Sequence, residues 1–142
     1  MEIELHSVNI SNLYIDQDRL ENVVGLMRGR GQTIKEIAAL CAPFYSDYRW
    51  KMNTELLEKY LTDQVKPILT QLKWEFAYND WCEETIKQII QDKVKITGLK
   101  FPQIANALRI IVFGMVDNMP SISKTLELME QKETIRRLAE YC

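Results

Sequence analysis

Lys100-Phe101-Pro102-Gln103-Ile104-Ala105-Asn106-Ala107-Leu108-Arg109-Ile110-Ile111-Val112-Phe113-Gly114 is the stretch whose periodicity settles the class of fold. Its apolar residues Phe101, Ile104, Ala105, Leu108, Ile111 and Val112, continued by Met115, recur at steps of three, one, three, three, one and three. That spacing predicts one wide helical stripe, suited to a central helix with several others packed around it. Pro102 falls in the first turn, where its missing N–H costs little. Gly114 stands where a left-handed residue can end the helix. Arg109 is the sole charge between Phe101 and Phe113, and it lies beside the stripe. A long cation on the edge of a buried helix either reaches out to a ligand or pairs with a carboxylate of a neighbouring helix. Periodicity does not choose between them, and the structural pairing is the first expectation.

Outward from this helix, the same 3.6-residue pattern repeats. Leu20, Val23, Val24 and Met27 predict a first helix over about Asp18 to Arg28. Arg28-Gly29-Arg30-Gly31 ends it with two glycines and two cations suited to a helix C-terminus. Thr33-Ile34-Lys35-Glu36 has capping-box spacing and opens a second helix that stops near Pro43. Phe44-Tyr45-Ser46-Asp47-Tyr48-Arg49-Trp50 reads as an aromatic corner. Asn53 or Thr54 caps a third helix, and a break near Thr62 precedes a fourth with Pro67 in its first turn. Asn79 is expected to cap a fifth, which opens with Trp81 and Cys82. Met115 to Pro120 forms a loop, Ser121 or Ser123 opens a short helix, and a last helix carries Ile135, Leu138 and Ala139. No stretch alternates with hairpin chemistry. The expected class is all-α, with about seven to eight helices in two small subdomains. Residues 1–16 would be an extended lead-in, 17–76 an N-terminal half and 77–142 a C-terminal half.

The 142 residues are enough for one domain with a real core, and 46% apolar with 27% charged residues is ordinary for a globular chain. The net charge of -2 means that any polyanion must meet local positive patches on a nearly neutral body. Cys41, Cys82 and Cys142 are scattered and form no CxxC pair, as free thiols of a reducing compartment would. Cys41 and Cys82 fall on apolar faces and are expected in the core, and Cys142 is terminal. One histidine, His6, does not make a metal site or a catalytic triad. No run approaches a membrane span and no signal peptide opens the chain, so the expected location is cytoplasmic.

Catalytic signatures are absent: no phosphate-binding glycine loop, HExxH, GxSxG or calcium loop occurs. Two features could bind. Arg28-Gly29-Arg30-Gly31 is either a cationic helix end or an arginine fork for a base or phosphate, and locally the helix end is the commoner outcome. Arg109 with Met115 to Ile122 is either a polar connection or a rigid, proline-ended loop that offers backbone groups and small apolar side chains to unstacked bases.

Six segments, taken in order, resemble the C-terminal anticodon-binding region of bacterial-type glutamyl-tRNA synthetases, from about Asp18 to the end. They are Leu26-Met27-Arg28-Gly29-Arg30 with Thr33-Ile34-Lys35-Glu36, then Phe44-Tyr45-Ser46-Asp47-Tyr48, then Asp80-Trp81. Lys100 through Arg109 to Gly114 follows, then Pro120-Ser121-Ile122 and Lys132-Glu133-Thr134-Ile135-Arg136-Arg137-Leu138. Ala107 and Phe113 depart from the family's proline and threonine. The resemblance implies an all-helical cage around the anticodon loop of glutamate tRNA. It assigns Arg30 to the third anticodon base, Arg109 to a base or its backbone, and Met119, Pro120 and Ile122 to an apolar wall, with Arg28 beside them. It implies no cofactor in this chain. ATP and magnesium would belong to a synthetase catalytic domain in cis or in trans, whose HIGH and KMSKS signatures do not occur here. Whether the chain is part of an ATP-dependent glutamate-tRNA ligase or a free-standing relative stays open. The other class of function, favoured by the net charge, Ala107 and Phe113, is a helical protein–protein interaction module on the same fold.

Overall fold

The computed structural model describes residues 17–30, 33–45, 52–117 and 119–142. The lead-in over 1–16, Gly31 and most of the aromatic corner lie outside them. Among the described residues there are eight α-helices and no strand: α1 Gln17–Met27, α2 Ile34–Cys41, α3 Thr54–Tyr60, α4 Lys66–Tyr78, α5 Glu83–Thr97, α6 Phe101–Phe113, α7 Ile122–Leu128 and α8 Gln131–Ala139. Two 3₁₀ turns, Arg28–Arg30 and Ala42–Phe44, follow α1 and α2. The fold is all-α.

Local chemistry sets most helix ends. The Thr33 hydroxyl accepts from the Glu36 N–H at 3.1 Å, and the Asn53 side chain accepts from Leu56 at the same distance. Ser121, not Ser123, caps α7 by accepting from the Lys124 N–H. Gly98 and Gly114, with φ of 75° and 73°, end α5 and α6 in the left-handed region. Gly29 is not left-handed; α1 tightens into the 3₁₀ turn around it.

Two expectations near residue 80 are corrected. Asn79 ends α4 instead of starting α5, and its amide donates to the Glu75 carbonyl at 2.7 Å. α5 starts at Glu83 with Cys82 as its cap residue, so Cys82 is half-buried rather than core, whereas Cys41 is fully buried. Trp81 precedes the helix. Its indole N–H is shared between the Leu126 and Met129 carbonyls at 2.8 and 2.7 Å, and its ring meets Phe76 edge-on. It joins the start of α5 to the end of α7.

α6 is the centre of the molecule. Ile104, Ala105, Ala107, Leu108, Ile110, Ile111, Val112 and Phe113 are all buried, so its apolar surface is wider than the predicted stripe. α3, α5 and α8 pack on it, α4 packs on α8, and α1 packs on α2 and α7. One apolar cluster runs from Leu20 to Leu138. Each large aliphatic side chain in it gains about 1.5–3 kcal/mol from burial.

One cation lies inside this core. Arg137 is 2% exposed. Its guanidinium donates to the Pro43 and Val112 carbonyls, to the Tyr45 carbonyl at 3.0 Å and to Glu133 at 2.9 Å. α8 is thereby tied to the last turn of α6 and to the turn after α2. Burial alone would push the Glu133 carboxyl up; hydrogen bonds and charge from Arg136 and Arg137 outweigh it and hold the group below its ordinary value.

Arg137→Ala takes the Arg137 donors from three carbonyls and leaves Glu133 without its buried partner. The expected loss is about 3–5 kcal/mol in urea unfolding. A carboxyl depressed in the folded state stabilises fully above its unfolded value, and that contribution is lost as pH falls through the folded value. Glu133→Gln is therefore expected to flatten the acid limb of the stability–pH curve; an unchanged limb would contradict this role.

Candidate nucleic-acid interface

The chain leaves α6 through Gly114, whose N–H still bonds to the Ile110 carbonyl at 3.1 Å. Met115 to Pro120 then leads to the Ser121 cap of α7. Thr125 fastens the start of that helix by donating its hydroxyl to the Ser121 carbonyl at 2.7 Å. Arg109 reaches across from α6 to the end of this loop. One terminal nitrogen donates to the Asn106 side-chain oxygen at 2.9 Å and the other to the Pro120 carbonyl at 3.2 Å. Its Nε is buried and has no hydrogen-bond partner among the described residues. Burial pulls the guanidinium below its ordinary value.

The expected pairing of Arg109 with a carboxylate is corrected. Among the described residues no acid lies in ion-pair contact with it. Among the described residues its charge meets only amide oxygens, which gives the base of the loop a positive field. Arg109 is a latch on the loop and also a half-buried cation with no acid in ion-pair contact among the described residues.

Met115, Val116 and Met119 are half-buried along the loop and present apolar surface. Pro120 and Ile122 face inward, and Ile122 is 1% exposed within the core cluster. The structure therefore brings Arg109, Met119 and Pro120 together and gives Ile122 the task of seating α7. Spacing alone did not reveal that inward orientation.

Arg28 and Arg30 stand exposed on the 3₁₀ turn that continues α1. α1 packs on α7, and α6 also meets α7. α1, which the arginine turn continues, and the end of the Arg109 loop thus both meet α7, about 10 Å long. Between α1, α7 and the start of α5 runs an open groove of about 360 Å³, lined by Asn22, Leu26, Glu83, Lys124, Glu127 and Leu128. Glu127 accepts from the Glu83 N–H at 2.7 Å. Two carboxylates against one lysine make this groove a poor seat for phosphate. Among the described residues no cluster of metal-ligating side chains occurs, and no helix is long and apolar enough to cross a membrane.

An anticodon binding domain family model matches residues 5–142. The chain belongs to the anticodon binding domain family. It is 37% identical over 123 residues to a glutamate-tRNA ligase of Methylobacillus flagellatus, covering 87% of this chain and 26% of that protein. A second glutamate-tRNA ligase, from Delftia acidovorans, is 33% identical, with 85% of this chain and 25% of that protein covered. The chain therefore spans about a quarter of the length of these relatives. The fold is shared with the crystal structure of a glutamate tRNA ligase from Elizabethkingia meningosepticum. The TM-score is 0.80 at 20% identity, over 97% of this chain and 27% of that one.

If Arg109 latches the loop, Arg109→Ala should loosen it locally. A hydrogen bond to a charged group contributes about 1.5–3 kcal/mol. Hydrogen exchange of backbone amides over 115–121 is expected to accelerate roughly 10- to 150-fold at that cost, while α6 stays protected. Unchanged exchange would show that the loop holds itself.

Proposed function

We propose that this domain binds the anticodon loop of glutamate tRNA and that Arg28, Arg30 and Arg109 face the RNA. The observation that carries the proposal is the family match over 5–142, joined to relatives that are glutamate-tRNA ligases. The geometry supports it. Arg28 and Arg30 are exposed on a short turn, where a guanidinium fork can meet a base edge at two points. Arg30 contacts the third anticodon base and Arg28 the neighbouring phosphate. Arg109 holds the loop and offers its remaining N–H groups to the RNA backbone. Met119, beside the Pro120 turn and seated by Ile122, lies against an unstacked base.

The rest of the scheme belongs to the same proposal. A synthetase catalytic domain, in cis or in trans, activates glutamate with ATP and magnesium, and this domain supplies tRNA selection. The site of action is the cytoplasm, in keeping with three free cysteines. The division into halves at 17–76 and 77–142 is kept as a proposal on folding units.

Equilibrium binding to glutamate tRNA and glutamine tRNA at two salt concentrations tests this. The domain, joined to a synthetase catalytic domain, is expected to prefer glutamate tRNA and to bind more weakly as salt rises. Arg30→Ala is expected to remove about 1–3 kcal/mol of that preference. A preference that survives Arg30→Ala would take Arg30 out of base recognition. No binding to either tRNA at low salt would overturn the proposal in favour of a protein-interaction module.

A further inference from the structure

α4 presents a second surface, built of other elements. It packs on α5 and α8, not on the helices that carry the arginine turn or the Arg109 loop. On its outer side Trp74 and Tyr78 are 58% and 79% exposed. Their rings lie parallel, 9° apart, with centroids at 6.4 Å. Single exposed aromatics are ordinary. Here two adjacent rings share one orientation, and both are more than half exposed, Tyr78 the more so.

The surroundings are basic. Lys66, Thr70, Trp74 and Tyr78 recur at steps of four and so form one row of the helix, about 18 Å long. Lys66 is exposed. The Lys73 ammonium lies 5.9 Å from the Trp74 ring centroid and donates to the Cys142 carbonyl at 2.7 Å. That bond pins it beside the ring and leaves two further donors. The single carboxylate within α4, Glu75, is taken by Lys93 at 2.9 Å. The next acid, Asp80, comes after the helix ends. The row thus has cations at one end, a planar apolar platform at the other and no open acid of its own helix.

From this juxtaposition of Lys66, Lys73 and the stacked Trp74–Tyr78 rings, we propose that α4 carries a second RNA contact. An unpaired nucleotide stacks on the aromatic face and its flanking phosphates lie along the lysines. Stacking on an aromatic ring tolerates any base, and two lysines add a modest salt dependence. The site is weak alone and sequence-tolerant, in contrast to the base-selecting role proposed for Arg30. The bound species is a single-stranded RNA segment, since a stacking surface of this kind needs a base already out of its helix.

The test titrates the full chain with hexa-adenylate and with a hexamer of the same charge lacking bases, following the Trp74 indole N–H by NMR at low salt. The expected result is a ring-current shift with hexa-adenylate and little with the abasic strand. Trp74→Ala should weaken hexa-adenylate binding by about tenfold or more. Lys66→Ala should lower the slope of log affinity against log salt by about 0.7. Circular dichroism of Trp74→Ala should show unchanged helicity, because the ring is exposed. Equal shifts with the abasic strand would overturn the stacking platform, as would an unchanged affinity in Trp74→Ala. Self-association abolished by Trp74→Ala, without RNA binding, would make the face a contact between copies of the chain.

Discussion

A single buried guanidinium determines how the ends of this structure meet. A helix leaves its last carbonyls without partners, and a core that closes over them must supply donors. Arg137 does so for Val112 at the end of α6 and for Pro43 and Tyr45 in the turn after α2. Glu133, one turn earlier on α8, neutralises it. An apolar residue there would fill the space but offer those carbonyls no donor. The loop that carries the candidate interface leaves α6 only two residues beyond Val112. The Arg137 network therefore fixes the direction in which that loop departs.

Arg109 and Arg137 show how two arginines in similar settings take opposite roles. Arg137 faces a carboxylate and is fully inside. Arg109 is half-buried, faces only amide oxygens and leaves a nitrogen unpartnered among the described residues. Desolvating a cation without a counter-charge is costly, so a polyanion arriving at the loop meets a cation whose water has already been partly removed. In a chain of net charge -2, any attraction for a polyanion is concentrated at a few such points. The Glu83 and Glu127 groove between α1 and α7 sharpens the same contrast by being locally acidic.

Much of the fold was legible in the sequence. The stripe in α6, the caps at Thr33, Asn53 and Ser121, and Gly114 as a helix end all depend on residues within one turn of each other. The misreadings share a cause. Asn79 has the composition of an N-cap, but its amide serves the helix before it. Arg137 bonds to carbonyls of residues as far off as Pro43, and no local window contains that partner. Arg109 was expected to find a carboxylate, yet the nearest acceptors turned out to be an amide and a main-chain oxygen. Ile122 and Pro120 follow a loop in sequence, but α7 docks with them inward. Periodicity reports which face of a helix is apolar; it does not report which distant group a long polar side chain will reach.

Hydroxyl-radical footprinting of glutamate tRNA in the presence of the domain, joined to a synthetase catalytic domain, tests the central claim most directly. The account predicts that this domain adds protection in the anticodon loop over the catalytic domain alone, and that the added protection fades as salt rises. Protection identical with and without the domain, or added protection only outside the anticodon arm, would contradict it.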